Sequence, residues 1–367
     1  MKATANPQQL KAALHRVAAA PSFKVGGAVN LIADEFGGLT IKRTTGLATM
    51  KVECEAEVEE GGECAVALDK LNDLAGRWSG DTCEITRDAS KLNFKVGTSK
   101  ASLVIWPEKD LEPDLEPIQA STITFDSERF LDFIEVGLRA AYTGGERANI
   151  RGVNIRTAHG RITVAGMDGR RIHACFGEET FEGIMPAEDG SHDPGVLLPK
   201  EIVNAVARMI GDDHCAVRLK VSERGGQIEA AGRTFRFLTP QDVAPNIDPF
   251  LVPTDRSAEC VTDRKGLIKI VKSALPLSYG DSRRIAVSWT ASEITVEAAD
   301  QSGNIYTDSQ PAKADKPHQL CVNGDYLMDF LESLKGDAIR LCHAPGYNAL
   351  TCTEEDRYLI LMLIRAQ

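Results

Sequence analysis

The 367-residue sequence has no apolar run near the roughly 20 residues that cross a bilayer. Its first residues, MKATANPQQLKAALHRV, hold no apolar secretory core. A cytoplasmic protein away from any membrane is expected. No CxxC pair occurs: nine cysteines are scattered at Cys54, Cys64, Cys83, Cys175, Cys215, Cys260, Cys321, Cys342 and Cys352. A disulfide framework or zinc site needs tighter spacing, so buried reduced thiols are predicted. Positive charge is not in excess, with 42 Lys and Arg against 53 Asp and Glu and a formal net charge of −11. That excludes a uniformly basic surface for nucleic acid, but not a local basic face. The phosphate-binding GxxxxGK[ST] loop, the dinucleotide GxGxxG turn and the HExxH metal motif are also missing. Seven dispersed histidines offer no acid–base constellation, and no cofactor or metal is expected.

What the sequence does contain is an internal repeat. AVALDKLNDLAGRWSGD (65–81), VLLPKEIVNAVARMIGD (196–212) and CVNGDYLMDFLESLKGD (321–337) align without gaps on their Gly-Asp endings. Apolar residues coincide: Leu71, Ile202 and Leu327; Leu74, Ala205 and Phe330; Trp78, Met209 and Leu334. A spacing of three and then four marks one helix face, and the following glycine predicts a helix stop. Alternating segments after each block predict three antiparallel strands. Upstream, 6–20, 126–141 and 263–275 have helical periodicity and are followed by further strands. The reading is α+β: three tandem two-helix, two-sheet domains over 1–120, 121–253 and 254–367, with Pro-rich linkers at 107–121 and 239–255.

Three polar fragments could hold chemistry. DGSHD (189–193) groups Ser191 and His192 with two aspartates, but triad members normally come from separated segments. YGDSRR (279–284) places Ser282 after Gly-Asp without a partner motif near the C-terminus. GDDH (211–214) follows a helix end with no second ligand cluster, so a solvated turn is predicted. A hydrolase built on Ser282 or Ser191 is one alternative. Charge is more informative. The helix at 6–20 carries Lys11 and Arg16 and no acid, and 263–275 carries four cations against Asp263. The helix at 126–141 is slightly acidic but keeps Arg129 and Arg139, and 325–335 is acidic.

VNGDYLMDFLESLKGD, VLLPKEIVNAVARMI, RANIRGVNIR, MDGRRI and the ending RYLILMLIRAQ, in this order and spacing, resemble the bacterial β sliding clamp, the DNA polymerase III β subunit family. The resemblance implies a non-catalytic processivity factor. Two chains would close head to tail into a ring on double-stranded DNA, gripping it without sequence preference. Its partners would be the polymerase III α subunit, the clamp loader and other proteins carrying clamp-binding motifs. It implies DNA contacts at Lys24, Arg77, Arg147, Lys200 and Arg283. Helix charge adds Arg16, Arg139, Arg208, Lys269 and Lys272. It places a dimer interface at Ala101 and Leu103 against Leu275 and Leu277. It places a partner-peptide groove at Ile150, Met167, Gly169, Arg170, Ile172, Pro245, Phe250, Ile360, Met362, Leu363, Ile364 and Arg365. The linker PNIDPFLVP is one residue longer than usual, so the Phe250 position could instead be Leu251. Where the family has Thr-Asp-Gly-His-Arg-Leu, this chain has Met167 through Ile172 with Arg170 in place of His. Its tail lacks the usual Pro, which predicts a freer backbone there. A three-domain peptide-binding scaffold that does not encircle DNA is the other alternative.

Overall fold

The computed structural model describes residues 1–22, 27–118, 120, 122–158, 161–178, 180–182, 195–222, 225–239, 244–251, 258–278, 280 and 282–364. Its element order repeats three times. The first repeat is β1 (Lys2–Ala5), α1 (Pro7–Ala18), β2 (Ala28–Asp34), β3 (Gly38–Thr44), β4 (Ala48–Cys54), β5 (Ala56–Glu60), β6 (Gly62–Ala67), α2 (Leu68–Ala75), β7 (Cys83–Arg87), β8 (Lys91–Val96) and β9 (Ser99–Val104). The second is β10 (Thr122–Asp126), α3 (Ser127–Ala140), β11 (Gly152–Ala158), β12 (Arg161–Met167), β13 (Arg171–Gly177), β14 (Thr180–Glu182), β15 (Val196–Pro199), α4 (Lys200–Ile210), β16 (Ala216–Ser222), β17 (Gly225–Ala230) and β18 (Arg233–Leu238). A short α5 (Asp248–Leu251) leads to the third: β19 (Ala258–Asp263), α6 (Arg264–Ala274), β20 (Arg284–Trp289), β21 (Glu293–Ala299), β22 (Ile305–Ala314), β23 (His318–Asn323), α7 (Gly324–Glu332), β24 (Ala338–Ala344), β25 (Ala349–Thr353) and β26 (Arg357–Met362).

The chain packs as two compact units, each drawing on consecutive repeats. One comprises 1–131, 179–185 and 199–241, the other 132–178, 186–198 and 242–367. The first unit holds a sheet of order β5-β1-β7-β8-β9 and another of order β14-β10-β16-β17-β18-β4-β3-β2-β6. The second holds a twelve-stranded sheet, β15-β11-β12-β13-β26-β25-β24-β19-β22-β21-β20-β23. Period-two alternation builds the cores: Val29, Leu31, Leu39, Ile41, Met50 and Val52 are all buried on one face of β2, β3 and β4.

Two strand junctions between repeats are alike. In the first unit β4 pairs antiparallel with β18. In the second β13 pairs antiparallel with β26. Each joins the strand after the second hairpin of one repeat to the last strand of the next. One strand of each kind is left at an open edge. β9 ends its sheet. The first seven residues of β22 pair with β21 alone, before Ala312–Ala314 turn to β19.

The helices start where capping chemistry places them. Asn6 accepts from the amides of Gln8 and Gln9, Asp126 from those of Glu128 and Arg129, and Asp263 from that of Gly266. The predicted stops hold only for α4, whose C-cap Gly211 takes φ +64, a conformation that costs side-chain-bearing residues energy. α2 ends earlier, with Gly76 as its cap, so Trp78 lies beyond the helix, 5.5 Å from the Phe94 ring. α7 ends at Glu332, and Leu334 is buried beyond it. The 107–118 stretch is not a free linker. Asp114 accepts from Thr44 at 2.7 Å and pairs with Lys42 and Lys51 at 3.4 and 3.3 Å. Strand β1, only four residues long, has no periodicity that the sequence could reveal.

Candidate functional site

The predicted DNA-facing cations divide by what surrounds them. α4 buries Ile202, Ala205 and Met209, which leaves Lys200 and Arg208 exposed, as its helical spacing requires. Arg77, Lys200, Arg208, Lys269 and Lys272 are exposed and form no ion pair among the described residues. Lys11, outside the predicted set, is in the same position on α1. Arg16, Arg139 and Arg283 are already engaged. Arg16 lies 3.6 Å from Asp213, a carboxylate that Arg233 approaches to 2.5 Å. Burial, with Arg233 beside it, lowers the Arg16 guanidinium's pKa. Arg139 pairs with Glu135 at 2.9 Å and Glu332 at 2.6 Å. Arg283 pairs with Asp325 at 3.0 Å. Asp213 therefore serves an ion pair, so the GDDH turn is more than solvated. Arg147 sits on no helix; its guanidinium is 3.1 Å from where a Cβ at Gly169 would stand. Lys24 lies outside the described residues.

The strand residues predicted to line a groove meet at the second junction, wholly within the second unit. β12 and β13 make a hairpin with Met167 opposite Ile172, and Ile172 stands opposite Ile360 of β26. Its turn is fixed by Asp168, which accepts from the amides of Arg170 at 2.8 Å and Arg171 at 3.1 Å. α3 closes on β12 at Gly166, where a Cβ would fall 1.8 Å from the Gly137 carbonyl oxygen; only glycine fits. Ile150 is buried nearby, and its carbonyl and that of Met167 both accept from the Tyr142 amide. Over this face lies α5. Ile247 packs with Ala165 and Ala174, and Leu251 with Ile172 and Phe176 bridges that cluster to Ala349, Tyr358 and Ile360. Leu251 therefore packs into this face, while Phe250 is 43% exposed and Met362 39%. Gly169, Arg170 and Pro245 are exposed, while Leu363 and Ile364 are half-buried. Arg365 lies outside the described residues. Phe176 was missed, although its parity with Ile172 and Ala174 along β13 points to it.

The tail is tethered rather than freed. The Met362 amide donates to the Arg170 carbonyl at 2.8 Å, Leu363 to Asn348 at 2.9 Å and Ile364 to Cys321 at 2.7 Å. Leu363 supplies an N–H that the family's proline would lack.

Beside this apolar face, β13 and β26 carry buried polar groups. Arg171 reaches Asp168 at 3.0 Å and Asp329 at 2.5 Å, and lies 4.1 Å over the Tyr326 ring. Arg357, 2% exposed, donates to Asp132 and to the Ser333 carbonyl. His173 is fully buried, its Nδ1 3.1 Å from Ser333 Oγ. Burial, with the Arg171 charge, pushes its pKa down to about 3.

The first junction offers different chemistry at the same place. Thr44 stands opposite Thr49 across the matching hairpin, and Thr49 opposite Arg236. The 107–118 stretch bonds directly to this face: the Leu115 amide donates to Thr49 Oγ1 at 3.0 Å and Arg236 to the Leu115 carbonyl at 3.1 Å. The Ile118 amide donates to Gln227 Oε1 at 3.3 Å.

Of the predicted interface residues, only Ala101 and Leu103 sit on an open-edge strand. Ala101 and Leu103 are on β9, while Leu275 and Leu277 are half-buried on a 3-10 turn after α6. Val104 at the end of β9 is 68% exposed and Ile305 at the start of β22 is 66% exposed. The nine cysteines are free, and all but Cys215 are buried. Among the described residues no group of three or more His, Cys, Asp or Glu could hold a metal. Ser191 lies outside the described residues. No helix among them is long and apolar enough to cross a membrane.

No family model matches the chain. It is 20% identical over 321 residues to the β sliding clamp of Chlamydia trachomatis, covering 86% of this chain and 74% of that one. The β sliding clamp of Chlamydia muridarum is also 20% identical, with 86% and 85% covered. The crystal structure of the DNA polymerase III β subunit from Pseudomonas aeruginosa superposes with a TM-score of 0.88 at 19% identity, covering both chains completely. The chain is related to the bacterial β sliding clamps and has their fold. The Pseudomonas clamp solved with griselimycin bound gives a TM-score of 0.89 at 18% identity, again over 100% of each chain.

Proposed function

We propose that this chain is a DNA sliding clamp. Two chains, each of three tandem domains (1–120, 121–253 and 254–367), close head to tail around duplex DNA. The polymerase III α subunit, the clamp loader and other clamp-binding proteins dock in the groove at the second junction. The protein catalyses nothing itself and acts by raising the local concentration of what it tethers. The relatives' names and the shared fold support this reading.

The observation that carries it is the repeated junction. β4 meets β18 and β13 meets β26, so the rule leaves β22 of one chain to meet β9 of a second. Both are open edges, and each has an exposed apolar residue at one end, Val104 or Ile305. An unpaired apolar edge invites aggregation unless a partner covers it, and head-to-tail pairing closes both. Arg77, Lys200, Arg208, Lys269 and Lys272 then supply weak, sequence-blind phosphate contacts that permit sliding. Val104→Lys with Ile305→Lys tests the closure. Light scattering is expected to give a dimer for the unaltered protein and a monomer for the variant. A monomer in both, at micromolar concentration, contradicts the ring.

A further inference from the structure

We infer that the groove at the second junction selects acidic peptides: an apolar segment flanked by aspartate or glutamate. This rests on the reading of that groove as a peptide site. Three guanidinium groups rim the apolar floor. Arg170 is exposed on the turn between Met167 and Ile172. Arg147 lies beside that turn, its Nη1 3.1 Å from the Cβ position of Gly169 and its guanidinium 6.0 Å from the Tyr142 ring centre. Arg161, exposed on β12, lies 5.4 Å over the ring of Phe176, which packs against both apolar clusters of the floor.

None of the three forms an ion pair among the described residues, whereas three carboxylates of this face are taken. Asp168 binds Arg171 and two turn amides, Asp248 binds Arg156, and Asp329 binds Arg171. A chain of net charge −11 has thus left its cations unpaired around an apolar face. Guanidinium groups bind carboxylates through paired N–H donors, so a peptide acid on either side of the apolar segment meets a ready partner.

Fluorescence anisotropy with two fluorescein-labelled peptides tests this. Both carry the same core of leucine and phenylalanine, flanked by aspartates in one and asparagines in the other. The aspartate peptide is expected to bind about tenfold tighter at low salt, the gain of a charge-assisted hydrogen bond discounted for exposure. The preference should fade near 1 M salt, where the Debye length is about 3 Å. Arg147→Gln with Arg170→Gln should remove it while keeping the asparagine peptide's affinity. Equal affinities for the unaltered protein, or a preference that survives the double variant, overturn the acidic selection and leave the groove standing. Binding of neither peptide overturns both.

Discussion

The two junctions are the same device built with different surfaces. At the first, the hairpin pair is Thr44 and Thr49, with Arg236 across from Thr49. The connecting segment bonds straight onto it, and Thr49 is left 1% exposed. At the second, the same positions are Met167, Ile172 and Ile360. The connecting segment there touches down through Ile247, Leu251 and the Arg156–Asp248 pair, leaving Phe250 and Met362 exposed. A polar face gives a connecting backbone enough partners to seal it. An apolar face cannot satisfy backbone N–H and C=O groups, so part of it stays uncovered.

The polar wiring behind each junction gives the largest expected contrast. Asp132→Ala leaves the buried Arg357 guanidinium only its longer contact to Asp356 at 3.4 Å, and should lower the unfolding free energy by about 3 kcal/mol, the low end for a broken buried pair because Asp132 is partly exposed. Urea denaturation measures it; a loss below about 1 kcal/mol would show the network to be dispensable. Next, Met167→Thr with Ile172→Thr writes the first junction's chemistry into the second. Peptide affinity should fall about 30-fold, the scale of losing a central apolar anchor, with an unchanged circular dichroism spectrum. Retained affinity would break the comparison.

A third contrast is in pH. The buried His173 has its pKa depressed from 6.5 to about 3. Below about pH 6.5 the unfolded chain takes up a proton that the folded chain refuses. The stability from this group is therefore full above that pH and falls by at most about 1.4 kcal/mol per unit as the pH drops toward 3. His15 and His214, the described histidines of the first unit, are exposed. Urea midpoints at pH 7 and 5.5 should converge for His173→Gln relative to the unaltered protein; identical slopes would remove His173 as the cause. Smallest is Asp114→Asn at the first junction, about 1 kcal/mol or less for a partly exposed ion cluster. Faster amide exchange at Leu115 and Ile118 would report the loosened segment, and unchanged exchange would show that the backbone bonds alone hold it.

Much of this was legible in residue spacing. The three-and-four apolar pattern of α4 identifies its buried face and hence Lys200 and Arg208 as its exposed cations. The junction contrast is visible once the hairpins are aligned, since a threonine pair stands where methionine and isoleucine stand in the next repeat. The resemblance named Met167, Ile172 and Ile360 together, and folding sets them on neighbouring strands with Arg147 beside their turn. What stayed hidden depends on partners distant in sequence. Arg16, Arg139 and Arg283 read as free cations until folding brings Asp213, Glu332 and Asp325 to them. Strand pairing between repeats is equally silent, because period-two alternation orients a strand's faces but not its neighbours.

The central claim, a ring around DNA, is tested most directly by retention on a primed circular plasmid before and after linearisation, with the ring loaded by its host clamp loader. The account predicts that the protein stays on the circle through gel filtration and runs off the linear form. Equal loss from both would contradict it.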